Sequence, residues 1–125
     1  MLALTDPREA YRRSAFDARV QGGDPAALVG LCLEQAVQGL GSALFAQERA
    51  DWPLRSKALT RTLTAITALE MGVDREAPLA QALLQVYGAA RHAVLASVTR
   101  FDADMLMSVR NDFLEIEAAL RDPGR

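Results

Sequence analysis

Between residue 24 and residue 121 the apolar side chains recur at spacings of three and four, and no stretch alternates apolar and polar at a period of two. That pattern predicts helices and no strand. Leu59, Leu63, Ile66 and Leu69 make one such stripe. Leu106, Val109, Phe113, Ile116 and Leu120 make another. Each is about as wide as a helix needs to bury one side against a neighbour.

The breaks between stripes are marked by proline and acid. Asp6-Pro7 and Asp24-Pro25 read as helix starts, because a carboxylate caps free N–H groups and proline tolerates the first helical position. Asp51-Trp52-Pro53 and Asp74-Arg75-Glu76-Ala77-Pro78 place the acid further ahead, and Asp102-Ala103-Asp104 supplies a cap without proline. Five helices are expected, the first of them short. Gln21-Gly22-Gly23, Gly72-Val73 and Asp122-Pro123-Gly124 separate them. Short connections force successive helices to run in opposite directions. The expectation is an all-α chain of one domain, 1–125: an antiparallel up-down four-helix bundle over 24–121, preceded by a mobile N-terminal helix over 1–23.

Two segments carry more apolar surface than one seam uses. On the segment after Pro25, residues Leu28, Val29, Cys32, Leu33, Ala36, Val37, Leu40, Ala43 and Leu44 fill an arc of roughly 180°. The segment after Pro78 has Leu79, Leu83, Val86, Ala90 and Val94 on one side, while Leu84, Tyr87 and Leu95 widen it. A second partner for these faces is implied. The short N-terminal helix, another copy of the chain as a homodimer, and a bound peptide all fit.

Composition narrows the function classes. With 14 basic and 16 acidic residues dispersed along 125 positions, the net charge is −2. No basic stripe exists to attract nucleic acid. No window has the roughly 18 uninterrupted apolar residues of a membrane span, and Met1 to Asp6 lack the charged and apolar regions of a leader. A cytoplasmic protein with neither nucleic-acid nor membrane partner is expected. The lone Cys32 between Leu31 and Leu33 reads as a small hydrophobe in a reducing compartment.

Candidate chemistry is sparse. His92 is the single histidine, so no zinc-type cluster and no Glu-x-x-His pair can form. Neither metal nor cofactor is expected. A phosphotransfer histidine would need a phosphate-attracting turn after it, which is missing; Glu115 and Glu117, two apart, point to different sides of a helix. No convergent titratable set suggests an enzyme. Gly39 and Gly41 inside a helix suggest close approach of a neighbour. Met105 and Met107 suggest an adaptable apolar edge, Arg12-Arg13 beside Tyr11 a solvated face, and Trp52 a packing plug.

Several of these residues carry a resemblance. Ala10-Tyr11, Asp24-Pro25-Ala26-Ala27-Leu28-Val29, Glu34-Gln35-Ala36, Lys57-Ala58 with Ile66 and Leu69, Pro78 through Tyr87, and Asp102 with Leu106 and Val109 follow the order seen in one family. From Ala10 to Glu117 the chain resembles FliS, the flagellar secretion chaperone. The resemblance implies an antiparallel bundle that wraps the disordered C-terminal segment of flagellin around its outside. It also implies the flagellar export apparatus as a further partner. Covering an amphipathic segment that otherwise zips with its own kind blocks premature assembly. A helical interaction or dimerisation module of another pathway is the alternative.

The partner-binding flank is expected on residues beside the core stripes: Leu33 and Val37, then Leu84, Tyr87 and Arg91, extended by Met107 and Leu114. Exposed apolar surface of that extent is normally in use. The N-terminal helix carrying Tyr11 is expected to cover part of it until the guest arrives, hinged at Gly22-Gly23.

Overall fold

A computed structural model describes residues 25–121. They form four helices: α1 Pro25–Glu48, α2 Trp52–Met71, α3 Ala80–Thr99 and α4 Ala103–Arg121. No strand occurs among the described residues. The expected short N-terminal helix, with Tyr11 and the Gly22-Gly23 hinge, lies outside them.

The helices pack as a ring in chain order, α1 on α2, α2 on α3, α3 on α4 and α4 back on α1, with no close backbone approach across either diagonal. A four-helix bundle fits this arrangement. The α1–α2 seam is the most extensive and the α3–α4 seam the thinnest. Leu33 and Leu40 of α1, Ile66 of α2, Val94 of α3, and Leu106 and Phe113 of α4 meet at the centre with no exposed surface.

Two expected caps are in place. Leu54 N donates to Asp51 Oδ1 at 3.1 Å with Pro53 in the first turn of α2, and Met105 N donates to Asp102 Oδ1 at 3.1 Å. A third start differs. Helix α3 begins at Ala80, two residues after Pro78, and Leu79 before it offers no side-chain cap. Asp74 spends its carboxylate earlier, on Glu76 N at 3.0 Å, while its carbonyl accepts from Ala77 N at 2.9 Å. An Asx turn therefore closes there before a helix can begin.

The corner between α1 and α2 is tighter than the sequence suggested. Asp51 N donates to Ala46 O at 2.9 Å and Ala50 N to Gln47 O at 3.2 Å, the two bonds of a Schellman closure. That closure puts Ala50 at φ 53°, where glycine is the usual residue. Asp51 thus finishes one helix and caps the next.

Three arginine contacts set the α1–α2 register. Arg55 donates to Gln47 at 2.7 Å, while Arg61 donates to Gln38 at 2.7 Å and to Gln35 at 3.1 Å. Rising numbers on α2 meet falling numbers on α1, so this pair runs in opposite directions. Between these contacts Gly39 is buried against α2. A Cβ there would collide with Thr62 Oγ1 and come within 3.2 Å of Ala58 O, so the close approach expected of Gly39 is real. Gly41 is looser, its nearest neighbour being Arg110 Nε at 3.7 Å from where a Cβ would stand.

Arg55 also lies over two rings, Trp52 at 4.8 Å and Phe101 at 5.3 Å from their centroids. The guanidinium joins the start of α2 to the α3–α4 turn. Trp52 is half exposed and works as a platform for that cation, not as the plug expected. Helix α1 from Ala26 is long and apolar enough to cross a membrane by length and composition. Here its apolar side fills the bundle centre, and its Gln35 and Gln38 are bonded to α2.

Candidate partner-binding groove

The thin α3–α4 seam is lined on one side by small residues. Helix α3 turns Ala82, Ala89, Ala90 and Ala93 towards α4, which answers with Met105, Val109 and Phe113. Small residues facing a helix that does not close on them leave a groove of about 740 Å³. Ala93 and Met105 continue it into a second hollow of about 510 Å³ at the α3–α4 turn, bounded by Ser97, Phe101 and Asp102.

The floor is firm. Phe113 is fully buried, and its ring meets that of Tyr87 edge-on at 6.2 Å between centroids. Beneath lies Cys32 of α1, whose thiol burial pushes up to about 11. Burial likewise raises the Tyr87 phenol, with Cys32 adding to the shift. Neither group ionises near neutral pH.

Gln85, His92, Ser108 and Asp112 edge the groove. No set of three His, Cys, Asp or Glu is placed to hold a metal among the described residues. An apolar trough with a polar edge is the shape that accepts the apolar side of an amphipathic segment.

The residues expected to bind the partner are not brought together. Leu33 and Tyr87 were expected on an outer flank; they are core, at 0% and 2% exposure. The reason is that every helix of the ring touches two neighbours, so the wide apolar arcs of α1 and α3 are used inside it. Arg91 points to α2, donating from Nε to Glu70 at 2.9 Å and from a terminal nitrogen to Thr67 at 2.6 Å. Leu84, seven residues earlier and half buried, shares that side of α3.

Val37, Met107 and Leu114 do share a region. Met107 and Leu114 lie three before and four after Arg110 on α4, and Val37 lies four before Gly41 on α1, against which Arg110 rests. Met107 is half exposed; Val37 and Leu114 are partly buried. Tyr11 lies outside the described residues.

The groove residues Ala82, Ala89, Ala93 and Val109 were not singled out as a site. Alanine in a helical stripe reads as filler, and its significance appears only when the helix opposite stands off.

One family model matches the chain over residues 7–121, nearly its whole length; the family is described as Flagellar protein FliS. No curated protein matches, and no solved structure matches.

Proposed function

The chain belongs to the FliS family of flagellar export chaperones, and from that premise we propose that it holds the disordered C-terminal segment of flagellin in the cytoplasm. Held there, the segment cannot polymerise before flagellar type III secretion. The chaperone performs no reaction and needs no nucleotide: it covers the apolar side of a segment that would otherwise pair with copies of itself.

The observation that supports this reading is the α3–α4 groove. Its alanine wall lets a guest helix come close, while Met105 supplies an adaptable, half-exposed contact opposite. Ordering a disordered guest costs free energy, so a trough lined by Phe113, itself backed by Tyr87, favours binding by asking little rearrangement of the host.

The test is calorimetry with a synthetic peptide of the flagellin C-terminal segment, accompanied by co-purification with full-length flagellin. One peptide per chain is expected, with a negative heat-capacity change from buried apolar surface. A protein that self-associates and ignores the peptide would be a dimerisation module instead.

A further inference from the structure

Four arginines of the bundle are partly buried: Arg55, Arg61, Arg91 and Arg110. The first three each find at least one acceptor within the chain, although Arg55 Nε itself is buried without one. Arg55 has Gln47 and two rings, Arg61 has Gln35 and Gln38, and Arg91 has Glu70 and Thr67. Arg110 has no acceptor among the described residues, and its Nε is buried without one. An N–H left in that state is costly, because it has given up water without gaining an acceptor.

Its surroundings say what would answer it. Arg110 rests against Gly41, where the missing side chain leaves the guanidinium beside bare backbone. Met107 and Leu114 flank it on its own helix, and Val37 stands one turn from Gly41 on α1. The patch is a cation set in an apolar strip, the complement of an amphipathic segment carrying an acid among hydrophobes. We infer that the α1–α4 flank centred on Arg110 is a second contact for the client segment, where Arg110 takes a client Asp or Glu carboxylate while Val37, Met107 and Leu114 cover the apolar residues beside it. The inference rests on the flagellin reading above, and adds that the client crosses both sides of α4. A fork of N–H donors suits a carboxylate, and a lysine cannot reproduce it.

The experiment is calorimetry of the full chain with the flagellin C-terminal peptide over a range of salt concentrations. Native protein should bind, and Arg110→Gln should bind about tenfold more weakly with a flatter salt dependence. Arg110→Lys should recover only part of the loss. Because Arg110 has no partner to abandon among the described residues, its substitution should not lower the melting temperature, while Arg91→Gln, which breaks the contact with Glu70, should lower it. A peptide with its acidic residues changed to amides should bind native protein weakly and lose little more with Arg110→Gln. Equal binding by native protein and Arg110→Gln overturns the inference and leaves the flagellin reading standing. Absence of binding by native protein overturns both.

Discussion

Tyr87 of α3 and Phe113 of α4 meet edge to face, their planes at 63°, under the least packed seam of the bundle. One aromatic contact therefore joins two helices that otherwise touch little, and its Phe113 ring lines the groove. Tyr87→Ala should destabilise the fold by about 3–5 kcal/mol through the cavity it leaves, and Tyr87→Phe by less than about 1 kcal/mol. Chemical denaturation of the two variants measures the difference. A Tyr87→Ala protein that melts normally would show that the ring pair does not support the seam.

On the groove wall the opposite behaviour is expected. Ala89 is exposed on α3 and faces the trough, so Ala89→Glu should fold normally yet weaken flagellin-peptide binding by about tenfold or more. Undiminished affinity in calorimetry would move the client away from this seam.

Two glycines should respond with opposite signs to the same change. Gly39→Ala forces a methyl group into Thr62 and should cost about 1–3 kcal/mol. Gly88, inside α3, has nothing within 4 Å of an added Cβ, so Gly88→Ala should gain about 0.5–1 kcal/mol from helix propensity alone. Paired thermal melts decide the matter.

Ala50 sits in the left-handed region at φ 53°. Ala50→Gly should relieve that strain and, after the entropy glycine adds to the unfolded chain, stabilise by about 0.5–1 kcal/mol. A lower melting temperature for this variant would contradict the Schellman closure.

The alkaline limit of stability has a sign fixed by Cys32. Its thiol ionises near 9 ordinarily and at about 11 in the fold, so the neutral form is favoured by folding. The resulting stability is complete below pH 9 and disappears as pH rises from about 9 to about 11. Cys32→Val should flatten part of that decline, the raised Tyr87 phenol accounting for more of it. Below pH 8 the thiol should resist aromatic disulfide reagents until the protein is unfolded.

Much of the bundle was legible because its signals are local. Asp51 and Asp102 announce helix starts through their own backbone neighbours, and Leu59 to Leu69 announce a buried face by spacing alone. The site was not local. Whether the wide apolar arc around Leu33 and Tyr87 faces solvent or a neighbour depends on how many helices each element touches, which no spacing encodes. Asp74 misled in a smaller way, since an acid ahead of a proline serves a turn as readily as a helix. The groove, built from alanines that gain meaning only from a helix that stands off, left no mark in the periodicity.

The corner at Ala50 and Asp51 also bears on the order in which the molecule assembles. It joins the two helices with the most extensive interface through only three residues, 49–51, so closing that hairpin costs little chain entropy. Early formation of the α1–α2 pair is the expected route, and contacts between sequence neighbours favour fast folding. The α3–α4 seam, with least surface to gain, should close last and reopen first. Amides lining it should then exchange with solvent through partial openings well below the free energy of complete unfolding.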